Sequence, residues 1–261
     1  RLLAEDPAIT HVAVVHCETS SGILNPVGEI AAAVQAAGRR LLVDSMSAFG
    51  AVPLDMREIA CDAFVSSANK CIEGVPGFGF VIMRRDVLEG AKGNAHSLSL
   101  DLHAQWDYME KSGQWRFTPP THAVAAFLKA LEIHAAEGGV AGRGARYGDN
   151  RDVLVAGMRE IVFETLLADR WLSPISLTFF TPCDPAFSFT DFYDRMKRKG
   201  FIIYPGKLTV ADSFRVGCIG RMDGAVMKEV VEAAAQALRE MGVASAEPPQ
   251  SALAERARLA A

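Results

Sequence analysis

Three short apolar runs, Val12-Ala13-Val14-Val15, Leu41-Leu42-Val43 and Ala63-Phe64-Val65, constrain the fold of this chain more than any other feature. Runs of strand length with no polar alternation suit strands buried in a parallel sheet. Between the first two, residues 28–37 predict a helix that Gly38 can stop. Strand and helix signals in alternation point to an α/β chain with a doubly wound sheet. Gly74-Val75-Pro76-Gly77 supplies turn residues, and Gly79-Phe80-Val81-Ile82-Met83 is the next expected strand.

The polar residues that follow these runs carry the chemistry. Asp44 closes the second run, and the third leads through Ser66-Ser67-Ala68-Asn69 to Lys70. Parallel strands would deliver both groups to one carboxyl edge, where ligands bind in open α/β sheets. An acid and an amine in that setting suit pyridoxal 5'-phosphate. The amine condenses with the cofactor aldehyde and can later move a proton between carbons. The carboxylate keeps the pyridine nitrogen protonated, since a nearby opposite charge favours the charged form. If the chain stays extended past Asp44, Met46 faces the same way and can pack on the ring. The plainer alternative makes Asp44 a cap and Lys70 a solvated cation.

Further along, residues 91–118 are polar and irregular, with Trp106, Tyr108 and Trp115 among them, and form a candidate active-site loop. Amphipathic helices are expected from near Thr121 to Gly138-Gly139 and from about 146 to 167. Residues 176–180 and 201–204 read as strands around a helix at 191–199, which Thr190 can cap and Gly200 can end. The cations Arg195, Lys197, Arg198 and Lys199 read as a solvated last turn complementing the helix dipole. In Ser213-Phe214-Arg215-Val216-Gly217-Cys218 an extended chain puts Arg215 on the face opposite Phe214 and Val216. A fixed arginine suits a carboxylate or phosphonate, although an ordinary edge-strand arginine would look the same.

Composition excludes several classes. With 261 residues, half of them hydrophobic, the chain can bury a large core, and a net charge of −4 gives no general attraction for nucleic acid or anionic membrane. No apolar run approaches the length of a bilayer span and the first residues lack a signal-peptide pattern, so the expected location is cytoplasmic. Five scattered cysteines without a C-x-x-C pair fit reduced thiols rather than zinc or disulfides, and no metal site is expected.

Four segments taken in order, His16-Cys17-Glu18-Thr19-Ser20-Ser21-Gly22, Val43-Asp44-Ser45-Met46-Ser47-Ala48-Phe49-Gly50, Ser66-Ser67-Ala68-Asn69-Lys70-Cys71 and Val75-Pro76-Gly77-Phe78-Gly79-Phe80, resemble the class V aminotransferases. The likeness runs from about residue 8 to about residue 241. It implies part of a fold-type-I large domain, a mostly parallel sheet with helices on both faces, over 1–120. A connecting helix region at 121–150, a smaller α+β domain at 151–242 and a flexible tail at 243–261 would follow.

The resemblance also assigns roles. Lys70 matches the Schiff-base lysine and Asp44 the pyridinium partner. Thr19 matches a hydroxyl residue near the cofactor's ring oxygen, and Asn69 a polar group near its phosphate. Trp115 and Thr118 match a segment that reaches the phosphate in the neighbouring subunit, which implies a homodimer. Arg215 matches the arginine that holds the substrate's acidic group. Capping by Thr19 and Asn69, and loop packing by Trp115 and Thr118, remain the alternatives. The implied partners are a small amino donor and a 2-oxo acid, with 2-aminoethylphosphonate, alanine and serine among the family's donors. A cysteine desulfurase would favour histidine where Asn69 stands. Relatives carry an upstream phosphate-binding turn that this chain, starting at Arg1, is expected to lack, which leaves a non-catalytic chain as a further alternative.

Overall fold

A computed structural model describes residues 1–206 and 211–260. The chain forms two compact units: one from Arg1–His16, Pro26–Phe49 and Leu54–Ala136, the other from Cys17–Asn25, Gly50–Pro53 and the residues from Glu137 onward.

The first unit is built on a four-stranded sheet of β1 (His11–Val15), β2 (Arg40–Asp44), β3 (Ala63–Ser67) and β4 (Gly79–Met83), in that spatial order. β1, β2 and β3 are parallel and β4 is antiparallel to β3. Helix α1 (Val27–Ala36) crosses between β1 and β2 and buries Val27, Ala31 and Val34, the i, i+4, i+7 stripe of a helix facing a sheet. That stripe meets Leu41, Val43 and Phe64, each fully or almost fully buried. Burying each of these side chains contributes about 1.5–3 kcal/mol. After α2 (Leu102–Ser112), helix α3 (Thr121–Ala136) sets Phe127 against Phe78 and Phe80, with ring centroids 5.3 and 5.6 Å away.

The second unit starts with α4 (Gly139–Glu160) and a three-stranded antiparallel sheet ordered β5 (Ser176–Phe180), β7 (Ser213–Gly217), β6 (Tyr204–Pro205). Helices α5 (Phe189–Arg198), α6 (Gly224–Met241) and α7 (Gln250–Ala260) complete it. Phe214 is the centre of its core, with the rings of Phe163, Phe179 and Phe192 all within 6 Å of it, centroid to centroid. A two-residue hairpin, Cys17–Glu18 with Ile23–Leu24, joins this unit through the bridge between Ile23 and Leu172.

Several elements differ from the sequence expectation. Residues 91–118 are not uniformly irregular: α2 forms inside them, begun by Asp101 accepting from Ala104 N–H and stopped by Gly113 in the left-handed region. The expected helix at 146–167 starts seven residues earlier, because Glu137 anchors Arg143 and Arg146 on its first turns. It ends at Glu160, where Val162 turns left-handed and Phe163 enters the core. Helix α5 begins at Phe189 with Ser188, not Thr190, at its N-cap, since starting there lets Phe189, Phe192, Tyr193 and Met196 share a buried stripe. The strand expected at 201–204 is reduced to Tyr204–Pro205. The expected flexible tail contains α7, whose Arg256 bonds Glu164 and the Thr165 carbonyl; Ala261 lies outside the described residues. Arg195 and Lys199 are not merely solvated but share the carboxylate of Glu240. Among the described residues no helix is long and apolar enough to cross a membrane, and no cluster of metal-ligating side chains occurs.

Candidate active site

In the first unit, parallel pairing places Val15, Asp44 and Val65 side by side at the carboxyl end of the sheet. Asp44 is exposed there, on the face that also shows Leu42, while Leu41 and Val43 point into the core. The chain does not stay extended beyond it. It turns, and the backbone N–H of Met46 donates to Asp44 Oδ1 at 2.9 Å, so the premise that Met46 faces as Asp44 does by strand alternation fails. The turn fixes one carboxylate oxygen and leaves Oδ2 as an acceptor.

The loop carrying Lys70 is stitched to this turn. Ser45 N–H donates to Val65 O at 2.9 Å, Ser66 Oγ to Ser45 O at 3.3 Å, and Cys71 Sγ to Ser47 O at 3.0 Å. The loop is also folded on itself: Glu73 N–H donates to Lys70 O and Gly74 N–H to Ala68 O. Gly74 is required at that point, since a Cβ there would lie 2.6 Å from Ala68 O. Lys70 and Asn69 are left exposed at the tip, and among the described residues the Lys70 amine is held by no ion pair or hydrogen bond. An unengaged amine and a half-engaged carboxylate at the carboxyl end of one sheet are the two side-chain types that pyridoxal phosphate chemistry uses.

Beside this edge, His16 closes β1. It is buried, its Nδ1 lies 3.0 Å from Ser45 Oγ, and its backbone N–H donates to Asp44 O at 2.7 Å. Burial holds its imidazole below the usual histidine range. No local sequence signal announces this contact, since His16 and Ser45 lie 29 residues apart. Trp115 and Thr118 are exposed in the segment after α2, and among the described residues no hydrogen bond ties either to the Asp44–Lys70 edge.

Thr19 and Arg215 belong to the second unit and meet there. Arg215 Nη1 donates to the Thr19 carbonyl at 2.8 Å and Nε to the Pro205 carbonyl at 3.2 Å. The guanidinium carbon lies 5.8 Å from the centroid of the Tyr204 ring. Thr19 thus serves Arg215 through its main chain. The sequence marks Tyr204 only as the end of an expected strand, and its place just before Pro205-Gly206 is the signal that sets it apart.

The family model for aminotransferase class-V matches residues 2–185. The chain belongs to the class V aminotransferases. This family is dependent on pyridoxal phosphate, the cofactor expected from the sequence. The chain is 70% identical to the 2-aminoethylphosphonate–pyruvate transaminase of Rhizobium meliloti (strain 1021) over 99% of its own length and 68% of that protein's. It is 68% identical to 2-aminoethylphosphonate–pyruvate transaminase 1 of Paraburkholderia xenovorans (strain LB400), covering 100% of this chain and 67% of that one. The chain therefore spans about two thirds of the length of these curated relatives. Among solved structures, pyridoxamine-pyruvate aminotransferase from Mesorhizobium loti matches with a TM-score of 0.83 at 24% identity, over 97% of this chain and 66% of that one, which supports the same fold.

Proposed function

We propose that this chain is the catalytic part of a pyridoxal-phosphate-dependent transaminase that takes the amino group of 2-aminoethylphosphonate and gives it to pyruvate. The observation that carries the reaction class is that the loop bearing the unengaged Lys70 amine and the turn bearing the Asp44 carboxylate are hydrogen-bonded to each other at the carboxyl end of one sheet. The substrate pair is supported by relatives at 70% and 68% identity.

Pyridoxal phosphate, when bound, supplies an aldehyde that captures amines and a protonated ring that draws electrons from the attached carbon. Lys70 Nζ would hold that aldehyde between turnovers. With a donor bound, the same Nζ would be the base that takes the proton from the amine-bearing carbon and returns one. Asp44 Oδ2 would accept the ring N–H and keep it charged. Asn69, Thr19, Met46, Trp115 and Thr118 complete the proposed cofactor set. Arg215 would bind the donor's phosphonate and then pyruvate's carboxylate, because both anions accept its fork of donors. The products are phosphonoacetaldehyde and L-alanine.

The proposal extends to a homodimer, supported by the likeness of Gly113–Pro120 to the segment through which relatives reach a neighbouring subunit's cofactor. It extends also to the cytoplasm, where five cysteines outside any disulfide would stay reduced.

Adding pyridoxal phosphate to the purified chain tests the reading. A visible Schiff-base band that borohydride fixes on Lys70, that Lys70→Ala lacks, and that 2-aminoethylphosphonate discharges faster than serine is expected. A folded chain with no band, or one that serine discharges faster, would overturn it.

A further inference from the structure

We infer that Tyr204 sets the preference for a phosphonate over a carboxylate, by donating its phenolic O–H to the oxygen that Arg215 leaves unserved. The inference rests on the proposed role of Arg215 as the anchor of the substrate's acidic group.

Antiparallel pairing places Tyr204 of β6 directly opposite Arg215 of β7. Directly opposed residues project to the same face of a sheet, and here the guanidinium comes to rest 5.8 Å from the ring centroid. Arg215 is not free to follow a substrate. Two of its five N–H donors are spent on the Thr19 and Pro205 carbonyls, which come from two separate segments. Three donors remain, all in one plane.

Those donors satisfy a carboxylate, which is planar and has two oxygens. A phosphonate is tetrahedral and has three. With two oxygens in the plane of the fork, the third stands out of it and needs a donor from another side chain. Tyr204 is adjacent, 55% exposed, and among the described residues its hydroxyl has no hydrogen-bond partner. A hydroxyl with no structural duty, beside a guanidinium held by two carbonyls, provides that third donor. The same hydroxyl adds little for pyruvate, so one anchor can serve both substrates while favouring the phosphonate in the donor half.

The test measures binding of two anions that lack the amine, ethylphosphonate and propanoate, to the cofactor-loaded protein by calorimetry, alongside the half-reactions with 2-aminoethylphosphonate and alanine. Tyr204→Phe keeps the ring against Arg215 and removes only the hydroxyl. The expected result is a loss on the order of ten- to a hundredfold for ethylphosphonate and for 2-aminoethylphosphonate, the range for a hydrogen bond to a charged group, with propanoate and alanine unchanged. Equal losses for both anions would show that the residue acts only through Arg215 and would overturn the inference. Ethylphosphonate binding that is abolished by Arg215→Ala and untouched by Tyr204→Phe would overturn it alone. Wild-type protein that binds neither anion would overturn the Arg215 reading as well.

Discussion

The imidazole of His16 and the hydroxyl of Ser45 sit 3.0 Å apart, both buried, where the chain leaving β1 donates the His16 backbone N–H to Asp44 O. Burial lowers the His16 pKa below its ordinary 6.5, so the folded protein resists a proton that the unfolded chain accepts. The sign follows from that difference. Above pH 6.5 neither state binds the proton and the pair costs nothing; as pH falls from 6.5 toward the depressed folded value, the unfolded state gains and stability drops. Urea unfolding midpoints at pH 7.5, 6.5 and 5.5 should fall, and His16→Asn should flatten that fall. An identical slope in the variant would remove His16 from the account.

Asp44→Asn keeps the side chain's size and an acceptor for Met46 N–H but removes the charge. A neighbouring opposite charge moves a pKa by about one to three units, each unit being a factor of ten. Turnover should therefore fall between about tenfold and a thousandfold, while borohydride still fixes cofactor on Lys70. Loss of the Schiff base itself would mean that Asp44 acts by holding the loop.

The strand ends were legible because apolar runs and the residues that close them are local signals. Leu41-Leu42-Val43-Asp44 and Ala63-Phe64-Val65 fall in β2 and β3, and parallel pairing brings Asp44 beside Val65. Contacts made across sequence were not legible. The Thr19 carbonyl serves Arg215 from 196 residues away, and no spacing announces it. Helix α2 was hidden for a different reason. Its apolar positions lack a buried stripe, and only Asp101 and Gly113 mark its ends. In α4 the glycines at 142, 144 and 148 obscure a helix that the Glu137 carboxylate organises from outside it.

That carboxylate gives a second pH window. Hydrogen bonds from Arg146, then Arg143, hold Glu137 down to about 2, and Arg143 is fully buried. An acid depressed in the folded state stabilises it above its ordinary value, and that contribution is lost as pH falls from about 4.5 toward 2. Removing one partner of a buried pair costs about 3–5 kcal/mol; Glu137 is one quarter exposed, so Glu137→Gln should cost about 3 kcal/mol, near the lower bound. Denaturant unfolding at pH 7 measures it. A change under about 0.5 kcal/mol, the level of an ordinary surface substitution, would show that Arg143 finds other support.

Gly22 links the fold of the second unit to its chemistry, and its replacement separates strain from placement. Its backbone is left-handed at φ +85, its N–H donates to Glu18 O, and a Cβ would lie 2.4 Å from Ser176 O. Gly22→Ala must therefore pay both a left-handed backbone, about 1 kcal/mol, and a clash with main chain that cannot rotate away, about 1–3 kcal/mol. Gly38 is the matched control: it is also left-handed, at φ +65, but its Cβ would meet nothing within 4 Å. Gly38→Ala should cost about 1 kcal/mol and leave substrate use alone. Gly22→Ala should cost more and should also raise KM for acidic donors, because the clash displaces the turn whose Thr19 carbonyl fixes Arg215. Thermal unfolding of the two variants, with KM for 2-aminoethylphosphonate, distinguishes the outcomes. Equal destabilisation would show that Ser176 yields to the added methyl, and an unchanged KM in Gly22→Ala would show that Arg215 keeps its aim without Thr19.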